Sequence, residues 1–195
     1  MDYDEFLSLT VASLAIGFVF ASSQLYRLSI VSFSIVFSIG VLSIISHEIA
    51  HRQVARLMNC YSRYVIHPLG LLITLASSLP FVPIKFIMPG VTVIMPKTYD
   101  YLEVKRIEGV TSLAGPVTNI VIATLGFMSI NLYSALTGFY SGYIYYLVYI
   151  NAWIALFNLL PIPPLDGSKV FRWNPLLYLL SLSVSVGLFL TTIIY

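Results

Sequence analysis

The stretch His47-Glu48-Ile49-Ala50-His51 lies inside an apolar segment long enough to cross a membrane. On a helix, two imidazoles four residues apart share one face, about one turn apart. They can bind Zn²⁺, and the glutamate beside the first can act as a base on a metal-bound water. Because both residue types are costly within hydrocarbon, their presence there indicates a function. The structural alternative is an ion pair between Glu48 and Arg52 at a solvated helix end, with the histidines as bystanders.

The composition around this stretch is typical of an integral membrane protein. Of the 195 residues, 58% are hydrophobic and 9% are charged, whereas ordinary soluble domains carry about 25% charged residues. The net charge of +2 is too small to indicate binding to nucleic acid. Cys60 is the only cysteine, which excludes an internal disulfide and a cysteine-rich metal site. Because the N-terminus is acidic, the first apolar run is predicted to be a retained span rather than a signal peptide.

The apolar runs predict an all-α membrane protein with about five transmembrane helices in a single domain over residues 1–195. The predicted spans cover residues 6–26, 28–56, 110–132, 143–160 and 175–195. Residues 69–79 are apolar but too short to cross, and they predict a re-entrant or interfacial segment. Over residues 86–95, β-branched residues flank Pro89-Gly90. This pattern predicts a small membrane-embedded β-strand region, with a hairpin at the Pro-Gly turn.

The basic residues fall almost entirely on one face of the five predicted spans. Of the ten Lys and Arg residues, only Arg27 falls on the other face. The positive-inside rule places the basic face, and with it the N-terminus, in the cytoplasm. His47 and His51 then lie near the cytoplasmic end of the second span, and Asp166 lies just past the cytoplasmic end of the fourth. The charge pattern therefore brings Asp166 to the membrane face that holds the two histidines.

A catalytic zinc usually has three protein ligands and one open position for water. The candidates for a third ligand are His67, Asp100, Glu103, Glu108 and Asp166. The first four lie in polar or densely charged stretches that are typical of solvated surface. Asp166 instead follows a stiff proline-rich run in an apolar segment, so it is favoured as the ligand. Its alternative role is the N-cap of a short helix that follows it.

Two asparagines lie in apolar segments. Asn119 is ten residues into the predicted third span, and Asn158 is in the last turn of the fourth. Either amide could simply bond a neighbouring helix across the bundle.

Three motifs, in order, resemble those of the site-2 protease family of intramembrane zinc metalloproteases. They are the HExxH of residues 47–51, the GxxxN of residues 115–119, and the Asn/Pro-rich stretch of residues 158–167, which ends in Asp166-Gly167. The resemblance covers about residues 41–171, which is the catalytic core that it implies. Many members read Asp-Gly-Gly where this chain has Asp166-Gly167-Ser168, and the family's accessory PDZ and CBS domains are not found in this sequence.

The resemblance implies that His47, His51 and Asp166 bind one zinc ion per chain and that Glu48 is the general base. It implies that Asn119 helps to hold the substrate or the developing oxyanion. Residues 86–95 resemble the family's strand region, which is expected to pair with substrate unwound from its helix. The expected function is therefore a zinc endopeptidase that acts in the lipid bilayer, toward its cytoplasmic side. Its expected substrate is a transmembrane protein or peptide, cut in or near the membrane-spanning segment.

Two other functions are alternatives. A non-hydrolytic zinc-binding membrane protein, such as a carrier or an inactive homologue, would not need Glu48 beside the first histidine. A membrane metalloprotease of the prenyl-protein type would take its third ligand from a downstream glutamate on a helix. The chain has no glutamate after Glu108, which disfavours that type.

Overall fold

The computed structural model describes residues 3–79, 81–137 and 142–194, and these residues form seven helices and two strands. The helices are α1 (Tyr3–Tyr26), α2 (Ile30–Leu57), α3 (Pro68–Ala76), α4 (Tyr101–Thr137), α5 (Gly142–Asn158), α6 (Asp166–Trp173) and α7 (Pro175–Ile194). The strands are β1 (Tyr61–Ile66) and β2 (Gly90–Met95).

Among the described residues, four helices are long and apolar enough to cross a membrane. They are α1, α2, residues Tyr101–Ile130 of α4, and α7. The prediction of a membrane protein built mainly of helices is therefore confirmed. Helix α5 has 17 residues and occupies the position of the predicted fourth span. The total of five spans stays a prediction.

Helix α4 begins at Tyr101 rather than at residue 110, so the charged stretch before the predicted third span is helical as well. Asp100 starts this helix, because its Oδ1 accepts the Leu102 N–H at 3.0 Å and its carbonyl accepts the Val104 N–H at 2.9 Å. Ile107 is buried while Glu103 is exposed. The charged residues are thus the solvated side of an amphipathic first section, which a search for apolar runs does not detect.

Helix α2 lies against α1, α4 and α5, and this position places the HExxH turn inside the bundle. Helices α1 and α2 touch at two glycines, since a Cβ on Gly40 would lie only 2.9 Å from the Cα of Gly17. The core around this contact combines apolar residues of three helices, among them Ile16, Phe20, Val36, Ile150 and Ile154. The two histidines are therefore held in a closely packed part of the molecule.

The strand region differs from the prediction. Strand β2 pairs antiparallel with β1, with Tyr61 opposite Met95 and Ile66 opposite Gly90. Residues 86–89 lie outside both strands, so the predicted hairpin at Pro89-Gly90 was wrong. Pro89 has no N–H to donate, and its carbonyl instead accepts the His67 N–H at 2.9 Å. The Pro-Gly pair thus leads into a strand whose partner lies earlier in the chain.

Candidate metal centre and active site

His47, His51 and Asp166 bring three ligand atoms together. The Nε2 atoms of the two histidines lie 3.0 Å apart, and Asp166 Oδ2 lies 3.3 Å from His47 Nε2 and 3.1 Å from His51 Nε2. In a tetrahedral zinc site with bonds of about 2.0–2.1 Å, the ligand atoms lie roughly 3.3 Å from one another. The three residues are therefore close enough to form a metal site, and their donor set suits zinc.

Helices α2 and α6 position these three residues. Helix α2 presents the two imidazoles on successive turns, and α6 begins at Asp166 itself. Leu165 is the N-cap of α6, and no side chain caps that end. The capping alternative for Asp166 is thus not what the structure shows, because its carboxylate faces the histidines. Gly167 allows the approach, since a Cβ there would lie 2.2 Å from the Leu159 carbonyl oxygen at the end of α5.

Helix α4 passes directly over the histidines at Gly115. A Cβ at this position would lie 2.4 Å from His51 Nε2 and 2.5 Å from His47 Nε2. Any side chain here would occupy the space of the two Nε2 atoms. This close approach explains why the GxxxN motif has a glycine at its first position.

The other nitrogen of each imidazole is fixed by an oxygen of α4. His47 Nδ1 lies 2.6 Å from Asn119 Oδ1, and His51 Nδ1 lies 2.7 Å from the Thr111 carbonyl oxygen. Because both oxygens are acceptors, each Nδ1 donates a proton to its partner, and each Nε2 keeps its lone pair for a metal. The two rings are therefore held in the tautomer and orientation that zinc requires.

Asn119 is fully buried behind His47. Its Nδ2 donates to the Ser43 carbonyl oxygen at 3.1 Å and to Asn151 Oδ1 at 2.7 Å. Asn151 in turn donates to Ser43 Oγ at 2.9 Å. Both amide hydrogens of Asn119 are used in this network, so none is left for an oxyanion. The role in binding the substrate or the oxyanion, which the resemblance implies for Asn119, stays a prediction.

The carboxylate of Asp166 is charged. Burial raises its pKa, but a proton on His51 Nε2, which a metal ion would displace, and hydrogen bonds with both histidines outweigh that effect and hold the pKa well below its usual range. The side chain is 15% exposed, so the carboxylate can be reached from the open side of the cluster.

Glu48 is half-buried beside His47 and accepts a hydrogen bond of 2.5 Å from Thr92 Oγ1. This bond ties β2 to the HExxH helix. The proposed ion pair between Glu48 and Arg52 was wrong, because Arg52 Nη1 lies 3.0 Å from Glu5 Oε1 instead. Glu48 therefore forms no ion pair with Arg52, and its carboxylate can accept a proton.

A small polar cavity joins Glu48 to the metal cluster. Its volume is about 30 Å³, which is enough for a water molecule. The lining includes Glu48, His51, Thr92, Asn158, Asp166 and Lys169. Asn158 donates from Nδ2 to the Ile154 carbonyl oxygen at 3.0 Å, in its own helix rather than across the bundle. Of the two asparagines singled out in the sequence, Asn158 is thus the one that lines the cavity.

A larger apolar cavity of about 240 Å³ lies on another side of Glu48, between α1, α2 and the sheet. Tyr64 lines it and is 5% exposed. Burial is the main cause, and the charge of Glu48 the second, that raises the pKa of the Tyr64 hydroxyl far above its usual value. This hydroxyl therefore stays neutral.

The other candidates for a third ligand lie apart from the cluster. His67 caps α3, since its Nδ1 accepts the Gly70 N–H at 3.1 Å. Asp100 caps α4, Glu103 is exposed, and Glu108 lies 4.0 Å from Arg172 Nη2. Among the described residues, His47, His51 and Asp166 are the group that could hold a metal ion.

Sequence reasoning missed three contributors to this site. Asn151 is a buried amide in an apolar helix, and this is the same signal that drew attention to Asn119. Thr92 was noted only for its place in the strand region, since nothing in the sequence links its hydroxyl to Glu48. Thr111 acts through its backbone carbonyl, for which a sequence carries no signal.

Comparison with known proteins agrees with this arrangement. The model of peptidase family M50 matches residues 134–174. The chain is 35% identical over 184 residues to "Putative zinc metalloprotease MJ0611" of Methanocaldococcus jannaschii, an alignment that covers 89% of this chain and 86% of the relative. It is 30% identical over 148 residues to "Putative zinc metalloprotease YwhC" of Bacillus subtilis, covering 68% of this chain and 65% of the relative. No solved structure matches the chain.

Apolar helices around a cluster of two histidines and one aspartate define a membrane metalloprotease. The chain belongs to peptidase family M50, the site-2 protease family. The predicted family and the predicted class of enzyme, a metalloprotease, are thereby confirmed. The predicted zinc cofactor agrees with the names of the relatives and with the ligand cluster.

Proposed function

We propose that this protein is an intramembrane zinc endopeptidase whose single domain spans residues 1–195, with a catalytic core over about residues 41–171. Its substrate is a membrane protein or peptide that is cut in or near a transmembrane segment. One observation carries the proposal. In the cluster of His47, His51 and Asp166, the last two residues line a water-sized cavity together with Glu48, inside a bundle of apolar helices.

His47, His51 and Asp166 would hold one zinc ion. When bound, zinc acts as a Lewis acid that lowers the pKa of a water molecule to about 7. Glu48 accepts the proton from the attacking water and later delivers it to the leaving amine. Thr92 Oγ1 holds Glu48 Oε2, which fixes the carboxylate and leaves its second oxygen for the proton. The base beside the first histidine supports a hydrolase over a zinc carrier.

The two asparagines divide the remaining work. Asn119 positions His47, because its amide is fully used behind the ring. Asn158 lines the cavity with Glu48 and Asp166, and one of its amide hydrogens is bound to the Ile154 carbonyl oxygen. Its second amide hydrogen can stabilise the oxyanion that develops on the scissile carbonyl. We therefore propose Asn158, rather than Asn119, as the residue that binds the oxyanion.

The outer edge of β2 is the proposed binding place for the unwound substrate. The His67 N–H bonds the Pro89 carbonyl oxygen, so by alternation the N–H groups of Val91, Val93 and Met95 also face β1. The backbone groups of Gly90, Thr92 and Ile94 therefore face away from β1. An extended substrate can hydrogen-bond to these groups as an added strand.

A groove of about 240 Å³ follows this edge and is closed on its other side by the proline-rich segment and α6. It shares Thr92, Pro164 and Lys169 with the small cavity at the metal cluster. A strand added along β2 would therefore lead toward the cluster. This route supports a substrate that enters as a single extended chain rather than as an intact helix.

The site is proposed to face the cytoplasmic side of the bilayer. The support is the distribution of charge, since nine of the ten Lys and Arg residues fall on the predicted cytoplasmic face. We propose the same side for the N-terminus of α1.

Reconstitution into liposomes with a single-span substrate tests the proposal. The zinc-loaded protein should cut the substrate at a bond in or near the span, as mapped by mass spectrometry. A chelator should abolish the cleavage, and added zinc should restore it. Protein that holds zinc and leaves a panel of single-span substrates intact would favour the non-hydrolytic zinc-binding alternative.

A further inference from the structure

Lys169 is a cation at the metal cluster that the proposed mechanism does not use. It lies three residues after Asp166 on α6, so the two side chains share one side of the helix. Lys169 is half-buried and lines both the small cavity and the groove along β2. Within residues 3–79, 81–137 and 142–194, its ammonium makes no hydrogen bond or ion pair. A partly desolvated cation of this kind favours an anionic partner.

A second cation extends this charge along the groove. Arg172 follows Lys169 by three residues on α6 and lines the same groove. Its Nη2 lies 4.0 Å from Glu108 Oε2, and the arginine side chain is 64% exposed, so this pair is weak. Lys105 joins these residues around an adjoining cavity of about 50 Å³. Three cations and one carboxylate, Glu108, thus line this adjoining cavity.

The position of Lys169 argues for a peptide group as its partner. The cavity that it shares with Glu48 and Asp166 holds about 30 Å³, which is too small for a lipid headgroup. The groove beyond it follows the backbone of β2. A chain added to that edge would pass the ammonium within a few residues of the scissile bond.

We propose that Lys169, assisted by Arg172, is a carboxylate-binding subsite that selects substrates with an acidic group a few residues from the scissile bond. The inference rests on the proposed function and names its substrate class. The carboxylate belongs either to an Asp or Glu side chain or to a free chain end. Most transmembrane segments carry Lys or Arg on their cytoplasmic flank, and the subsite disfavours them there. The subsite would therefore select the minority of membrane segments that carry an acidic group at this position.

Binding to the Glu48→Gln protein tests the subsite without turnover. The probes are single-span peptides in detergent micelles, identical except for Glu or Gln at one flank position, which is moved residue by residue along the flank. A second pair differs only in a free or an amidated C-terminus. The Glu48→Gln protein should bind one acidic peptide about tenfold more tightly than its Gln partner, which corresponds to one charge-assisted contact. Preference for the free C-terminus instead would assign the carboxylate to a chain end.

The Glu48→Gln/Lys169→Gln protein should lose this preference, and Lys169→Glu in the same background should prefer a Lys peptide. Lys169→Arg keeps the charge and should keep the preference, which guards against a variant that fails to fold. Lys97→Gln is the matched control, because Lys97 is exposed and belongs to no cavity named above. Zinc content is measured for every variant.

An acidic preference that survives in the folded Lys169→Gln protein overturns the subsite, and so does the absence of any preference. If none of the peptides binds to any variant, the proposed function fails and the subsite fails with it. Equal binding of acidic and neutral peptides leaves the proposed function standing and removes only the subsite.

Discussion

The metal cluster and the two-stranded sheet meet at Glu48 and differ in how they use their polar groups. In the cluster, each imidazole is fixed on both sides, by Asn119 or Thr111 behind it and by Asp166 in front. In the sheet, β2 is paired along one edge only among the described residues. Close packing and hydrogen bonds therefore fix the three side chains of the cluster in an arrangement that suits a metal ion. The outer edge of β2, in contrast, has a row of backbone groups that could bind an extended substrate chain.

Removing a ligand breaks the cluster and should have the largest effect. Asp166→Ala is expected to lose bound zinc and nearly all cleavage, because one of three ligands and the negative charge at the site disappear. Glu103→Ala, an exposed acidic residue on α4, is the matched control and should keep both. Zinc is counted per chain by elemental analysis. One tightly held zinc per chain in Asp166→Ala would remove Asp166 from the ligand set.

Asn158→Ala changes the point where the metal cluster meets the groove along β2. It should lower the rate of cleavage by about 10²–10³ and leave zinc affinity unchanged, because it removes an oxyanion donor and no ligand. Single-turnover cleavage with a zinc titration alongside measures the two quantities. An unchanged rate of cleavage would mean that Asn158 only forms its hydrogen bond with the Ile154 carbonyl oxygen and does not bind the oxyanion.

Asn119→Ala is predicted to do the opposite. Loss of the partner behind a metal-binding histidine typically costs about 10–100-fold in metal affinity or activity. We expect weaker zinc binding, with the rate restored at saturating zinc. Asn151→Ala removes a group one step further from His47 and should weaken zinc binding less. Slow cleavage at saturating zinc, together with normal zinc affinity, would instead support a role for Asn119 in binding the oxyanion.

The sheet edge should give the smallest effect. Thr92→Pro removes an outward N–H together with the hydroxyl that holds Glu48, whereas Thr92→Val removes the hydroxyl alone. The difference between these two variants isolates the backbone donor, and we expect the proline variant to bind substrate about tenfold more weakly. Zinc content should match the wild type in both. Equal substrate affinities would rule out strand addition at this position.

The sequence predicted the cluster better than the groups around it. The spacing of His47 and His51 is a local property of one helix. The distribution of basic residues along the chain predicted that Asp166 lies on the same membrane face. The direction in which the Asn119 amide points is different, because it depends on how closely α4 crosses α2. That distance depends on Gly115. The GxxxN motif contains this glycine but does not show how closely the two helices approach.

The fold shows the same limit. Apolar runs predict α1, α2 and α7 closely, since burial in lipid dominates their composition. The pairing of β1 with β2 joins segments that are separated by α3 and a loop. Strand β1 is too polar to be noticed, and Pro89-Gly90 resembles a local turn. Non-local pairing, rather than the identity of the strand residues, is what the sequence did not predict.

The most direct test is the Glu48→Gln protein. Glu48 lies between the metal cluster and the sheet, and it belongs neither to the three proposed zinc ligands nor to a strand. Zinc per chain, affinity for a single-span peptide and product formation are measured on one preparation. We expect one zinc per chain, wild-type affinity for the peptide, and almost no product. Cleavage by this variant at the wild-type rate would contradict this expectation.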